Sequence, residues 1–266
     1  MRATRLLTAA VLAASLTACS TSGDGASAPS SAAAGSGGSG GSGGTVIVYA
    51  AASLQATFEK LGSEFRAKHP GTTVKFSFGG SSGLLAQLTQ GAPADVFATA
   101  DTPTMDKART ASLVTDPQPF ATNVLTIATA PGNPKGVTSL ADLTKPGVSV
   151  VVCAQPVPCG TATAKVTKAA DVTLHPVSEE DSVSSVLAKV RHGQADAGLV
   201  YKTDVKGTNG AVGSVDFPQA DGAVNVYPIA PLTAAKNSAG AKEFVAFVRG
   251  PEGRAALAAA GFGTPS

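Results

Sequence analysis

The segment FSFGGSSGLLAQ, residues 76–87, sets Ser81 in the pattern Gly79-x-Ser81-x-Gly83, between a β-like run and a helix-like run. A serine in that position suits two chemistries. On a sharp strand-to-helix turn it is the nucleophile of a hydrolase elbow. At a helix start it is part of an anion cradle, where hydroxyl and backbone N–H groups close on an oxyanion. The elbow needs a histidine base, and only His175 and His192 follow Ser81 in the chain. His175 stands before Pro176 in a turn, and His192 ends an amphipathic stretch on its solvated side. No HGGG-type oxyanion segment precedes the serine. Holding is favoured over attack. A secreted serine hydrolase acting through Ser81 is the alternative.

Three further places where a strand hands over to a helix carry similar residues. YAAASLQ offers Ser53, VPCGTATAK offers Cys159, Gly160 and Thr161, and EEDSVSSVL offers Ser182 and Val183. Each helix start presents backbone N–H groups without intrahelical partners and the positive end of the peptide dipole. Converging on one point, they would form a cage of donors for a dianion with no cationic side chain. Such a cage prefers fully deprotonated oxyanions, because a proton on the guest finds no acceptor. A carboxylate at Asp181 facing inward would weaken that preference. The plainer alternative makes Ser53, Ser81 and Ser182 N-caps, each stabilising its own helix by about 1 kcal/mol.

The elements that must position these residues are legible from periodicity. Val46–Tyr49 reads as a buried strand, and residues 53–67 carry Leu54, Phe58, Leu61 and Phe65 on one helical stripe. Val74, Phe76 and Phe78 alternate as a strand. Leu84, Leu85 and Leu88 begin a helix that Gly91 can end. Residues 95–100, 124–129, 148–152, 197–201 and 224–229 read as further strands. Helices are expected from Val183 to about Gly193 and over 238–249 and 251–260. Strands separated by helices predict an α/β fold of two lobes, each a mostly parallel sheet flanked by helices, with the ligand in the cleft. Two segments, GAPADVFATAD (91–101) and GQADAGLVYKTD (193–204), share a grammar of Gly, Ala-Asp, short strand and closing Asp, which supports two related halves.

The chain of 266 residues opens with Arg2, Arg5 and an apolar run over Leu6–Ala18, a secretory leader too short to span a bilayer. Its end, Leu16-Thr17-Ala18-Cys19, resembles a bacterial lipobox, so residues 1–18 are expected to be removed and Cys19 lipidated. Ordinary cleavage near Ala18 is the alternative. Residues 20–44 hold nine Gly and eight Ser, and 19–44 is expected to be a tether. Without the leader's two arginines, 18 Lys+Arg balance 18 Asp+Glu, which gives nucleic-acid binding no support. Cys153 and Cys159, six apart in an exported chain, suit a disulfide, with two free thiols as the alternative.

VIVYAAASL, FGGSSGLLAQLTQGAPADVFATAD, VPCGTATAK and GQADAGLVYKTDV, in that order, resemble the periplasmic molybdate-binding proteins of ABC importers, over nearly all of 45–266. The resemblance implies the type II periplasmic-binding scaffold, with lobe one over 45–122 plus 226–266, lobe two over 123–225, and hinge crossings near 122 and 226. It implies no enzymatic activity and no cofactor. Molybdenum would be present only as the bound oxyanion, with tungstate as a second guest. The implied ligand set is Ser53 and Ser81 from one lobe, and the backbone at Cys159 and Val183 with the Tyr201 hydroxyl from the other. Cys159 stands where many relatives carry alanine, and Ser182 where they carry Asn or Asp. The implied partner is an ABC permease. A monomer is expected outside the cytoplasmic membrane, held there only by its lipid. Sulfate is the alternative guest, and an adhesive surface lipoprotein that binds no anion is the remaining alternative.

Overall fold

The computed structural model describes residues 43–265; the leader, Cys19 and most of the expected tether lie outside the described residues. In chain order the elements are β1 (Gly44–Ala51), a 3₁₀ turn (Ala52–Leu54), α1 (Gln55–Lys68), β2 (Thr72–Gly79), α2 (Ser81–Thr89), β3 (Val96–Ala98), α3 (Thr102–Thr110), β4 (Gln118–Asn123) and β5 (Leu125–Thr129). They continue with β6 (Val150–Cys153), α4 (Pro158–Ala169), β7 (Ser178–Glu180), α5 (Val183–Arg191), β8 (Ala197–Tyr201), α6 (Lys202–Lys206), β9 (Gly213–Val215), β10 (Asn225–Pro231), α7 (Ser238–Arg249) and α8 (Pro251–Ala260).

The strands form two five-stranded sheets, ordered β2-β1-β3-β10-β4 and β7-β6-β8-β5-β9. The two orders correspond when β10 and β5, each the first strand formed after a crossover, are taken as equivalent. Each sheet is mostly parallel, as expected, with four of its five strands running one way and a single strand reversed. In the first, β1 pairs parallel with β2 and β3 while β10 runs antiparallel to β3 and β4. In the second, β6 pairs parallel with β7 and β8 while β5 runs antiparallel to β8 and β9. The reversed strands are β5 and β10, each the first strand the chain forms after it passes from one sheet to the other.

Apolar stripes of the helices bury against these sheets. Phe58 and Phe65 of α1 meet Phe244 of α7 at 6.1 and 5.3 Å on one side of the first sheet. Leu84, Leu88 and Met105 of α2 and α3 cover the other side. Val166, Val186 and Val190 of α4 and α5 cover the second sheet, each fully buried. Each such side chain contributes roughly 1.5–3 kcal/mol.

The two echoing segments occupy equivalent places. Gly91 and Gly193, at φ +87° and +68°, end α2 and α5. Asp95 accepts from the Ile47 N–H at 2.8 Å and Asp196 from the Ser149 N–H at 2.8 Å, so each carboxylate anchors the start of its sheet's central pair. β3 and β8, which follow them, hold the middle of their sheets.

Candidate functional site

Residues from both sheets line one cleft: Ser53 and Ser81 with Gly79 and Gly80 on one side, and Cys159, Val183 and Tyr201 on the other. All five sequence-predicted positions thus lie around a single cavity. Its volume is about 10 Å³, far below the ~300–1,000 Å³ usual for organic ligands. Among the described residues, no Lys, Arg, Asp, Glu or His side chain lines it.

Three helix starts border this space. In α2 the first intrahelical bond is Leu84 N–H to Gly80 O, which leaves the N–H groups of Ser81, Ser82 and Gly83 outside the helix ladder. In α4 it is Thr161 N–H to Val157 O, so Cys159 and Gly160 are left, since Pro158 has no N–H. In α5 it is Val186 N–H to Ser182 O. Ser182 caps α5 by accepting from Ser185 N–H at 3.3 Å, and Val183 is the first helical residue, facing the cleft.

The two other serines are not caps. Gly80 holds the cap position of α2, and Ser81 Oγ accepts the Ala100 N–H at 3.0 Å from the turn between β3 and α3. With that lone pair taken, the Ser81 hydroxyl hydrogen is left to donate elsewhere. Ser53 lies inside the 3₁₀ turn, and its Oγ is 3.0 Å from the Tyr227 hydroxyl. Ser82 is half-buried and lines a separate groove with Leu85 and Pro156.

Cys153, ending β6, and Cys159, in the first turn of α4, form a disulfide across the intervening loop. Gly160 must be glycine here: a Cβ would lie 2.3 Å from the Ala154 carbonyl oxygen. Tyr201 ends β8 and is 1% exposed, and its hydroxyl has no hydrogen-bond partner among the described residues. Burial, with lesser contributions from Tyr227 and Asp204, holds its pKa well above the ordinary phenol value, so it stays a donor at neutral pH. Asp181 is exposed; its carboxylate accepts from the Ser185 hydroxyl and does not line the cavity. The nearby acids Asp101 and Asp204 are both pushed upward by burial, Asp204 to about 7.

The hydrolase reading finds no base. His175 and His192 are exposed and away from the cleft. No group of three or more His, Cys, Asp or Glu among the described residues could hold a metal ion. Sequence reasoning missed Tyr227 and Asn123, which stand behind Ser53, because both look like ordinary strand residues.

The family model for bacterial extracellular solute-binding proteins matches residues 46–263. The chain belongs to that family. It is a solute-binding protein and not an enzyme. It is 49% identical over 260 residues to the molybdate-binding protein ModA of Mycobacterium tuberculosis, covering 97% of both chains. In fold it matches the Azotobacter vinelandii periplasmic molybdate-binding protein with a TM-score of 0.74 at 22% identity, over 83% of this chain and 100% of that one. It also matches the Mycobacterium tuberculosis sulfate-binding protein SubI with a TM-score of 0.71 at 20% identity, over 82% and 86%. These likenesses carry the two-lobe periplasmic-binding fold.

Proposed function

We propose that this protein is the substrate-binding component of an ABC importer and captures molybdate, with tungstate as an equivalent guest. The ligand set is the Ser53, Ser81 and Tyr201 hydroxyls and the backbone N–H groups of Cys159 and Val183. One observation carries the reading: donors from both lobes surround a cavity that holds no charged side chain. Hydrogen bonds to a charged group contribute ~1.5–3 kcal/mol each, so five of them support tight capture. The ModA relative supports molybdate as the guest. Lobe one comprises 45–122 with 226–266 and lobe two 123–225, and closure about the crossovers selects the form that the permease engages. Lipidation at Cys19 holds the monomer to the outer face of the membrane; the lipobox-like Leu16–Cys19 run supports this, as does a 28% identical Bacillus subtilis relative described as a putative ABC transporter substrate-binding lipoprotein.

Sulfate is the second reading, because a sulfate-binding protein of Synechococcus elongatus is 28% identical over 257 residues. Calorimetry of the mature protein with molybdate, tungstate, sulfate and phosphate separates the two. Molybdate and tungstate should bind at least tenfold tighter than sulfate. Sulfate preference would reassign the guest, and silence for all four would reject the receptor.

A further inference from the structure

Behind Ser53 runs a buried hydrogen-bonded chain that the proposed ligand set does not include. Asn123, the last residue of β4, is 5% exposed, Tyr227 of β10 is 0% exposed, and Thr203 of α6 is 7% exposed. The Asn123 amide has a defined orientation, because the Val124 N–H donates to its Oδ1 at 3.1 Å. Its Nδ2 therefore faces the other way, and donates to Thr203 Oγ1 at 2.7 Å and to the Tyr227 hydroxyl at 3.5 Å. An amide nitrogen can only donate. The Tyr227 oxygen thus receives a hydrogen and must place its own on another acceptor. Ser53 Oγ, at 3.0 Å, is that acceptor.

The opposite polarity, with Ser53 donating, would give the Tyr227 oxygen two incoming hydrogens and leave its own only the neighbouring Tyr201 oxygen, which lies outside good hydrogen-bond geometry. A buried donor left unpaired costs ~1–3 kcal/mol. The ring cannot swing away, since Phe120, Tyr201 and Phe262 surround it at centroid distances of 6.4, 6.0 and 5.5 Å. Burial also holds the phenol well above its ordinary pKa, so it keeps its hydrogen. Direction therefore passes from Asn123 through Tyr227 to Ser53, whose single hydrogen is left for the cleft.

We propose that Tyr227 and Asn123 are positioning residues that make the Ser53 hydroxyl an obligatory donor to the bound oxyanion, and so help to exclude anions that carry a proton. This rests on the reading of Ser53 as a ligand. The chain also ties Thr203 of the second lobe to Ser53 of the first through the crossover at Asn123.

The test is a double-mutant cycle by calorimetry on the mature protein, using wild type, Ser53→Ala, Tyr227→Phe and the double variant, with molybdate and with phosphate at pH 8. Tyr227→Phe should weaken molybdate about tenfold, yet weaken it no further once Ser53 is alanine. It should also narrow the molybdate-over-phosphate ratio by threefold or more, because a released Ser53 hydroxyl can turn to accept a proton. Asn123→Ala should act in the same direction, and thermal melts confirm that each variant is folded. Wild-type-like affinity in Tyr227→Phe, a loss additive with Ser53→Ala, or an unchanged ratio overturns the proposal and leaves the receptor standing. A Ser53→Ala protein that binds like wild type, or a wild type that ignores molybdate, overturns the underlying reading and the proposal with it.

Discussion

Replacing Tyr201 by Phe should move two measurements in opposite directions. The hydroxyl is buried without a hydrogen-bond partner among the described residues, while the ring packs against Tyr227 at 6.0 Å between centroids. Phenylalanine keeps the ring and removes only the orphan. An unsatisfied buried hydroxyl costs ~1–3 kcal/mol, so the unliganded variant should gain about 1 kcal/mol of stability, or about 2–4 °C in Tm for a chain of this size. Binding should suffer instead. Losing one hydrogen bond to a dianion forfeits ~1.5–3 kcal/mol, which is about 10- to 150-fold in affinity. Scanning calorimetry without anion and titration calorimetry with molybdate read the two effects. Excess molybdate should then raise the wild-type Tm more than the variant's, because the ligand's stabilisation follows RT ln(1 + [L]/Kd). A variant that melts earlier and binds as wild type does would show that the hydroxyl serves the fold, and the reasoning would fail.

Ser81→Ala should do harm in both assays. It strands the buried Ala100 N–H, which now donates to Ser81 Oγ at 3.0 Å, at a cost of ~1–3 kcal/mol in stability, and molybdate affinity should fall at least tenfold. Equal Tm in the two proteins would remove Ser81 from that role. For Asp204 the sign runs against the usual carboxylate. Its pKa is raised from 3.8 to about 7 by burial, so between those values the folded protein binds more protons than the unfolded chain and stability falls as pH rises. Asp204→Asn should flatten the slope of Tm between pH 5 and about 8 and raise Tm at pH 8, while its side-chain oxygen still accepts the Tyr201 N–H. An unchanged slope would refute this. Cys153→Ser with Cys159→Ser opens a loop of sequence separation 6 and should cost about 2 kcal/mol by loop entropy. It should also weaken molybdate severalfold by loosening the start of α4, and intact affinity would restrict the bridge to stability.

The parts of the site that announced themselves were those with local punctuation. The Gly-Ser-Ser-Gly run marks the start of α2, and the paired Gly…Ala-Asp-strand segments mark β3 and β8, because these signals arise from backbone conformation within a few residues. Ser53 was marked by its place at a strand-to-helix handover, while Tyr201 drew its meaning from the family resemblance. Helix α3 was missed, since TPTMDKART buries only Thr104, Met105 and Ala108. It forms because Asp101 caps it, accepting the Thr104 N–H at 3.1 Å, with Pro103 in its first turn. The roles of Asn123 and Tyr227 were invisible for a different reason. They meet only because β4 and β10, about a hundred residues apart in sequence, pair antiparallel. No local pattern encodes that contact.

On the proposed ligand set, a donor-only cavity would separate dianions from protonated anions, yet molybdate and sulfate would pass that filter equally, so size would have to separate them. The lobes meet backbone to backbone beside the cavity. Gly80 has φ −63° and ψ 133°, a conformation open to any residue. Yet a Cβ there would lie 2.1 Å from the Asp181 carbonyl oxygen and 3.2 Å from a Val157 methyl. Glycine is therefore required by the opposite lobe, not by its own turn. Gly80 adjoins Ser81, and Asp181 is two residues from Val183, so this contact sets the spacing between donors of the two lobes. A stop made of backbone does not yield as a long side chain would. A smaller guest then leaves some donors beyond the ~3.2 Å limit of a good hydrogen bond, and a larger one must force the contact open. On the proposed ligand set, discrimination by size would follow from the stiffness of that stop, with the hydroxyl hydrogens turned inward.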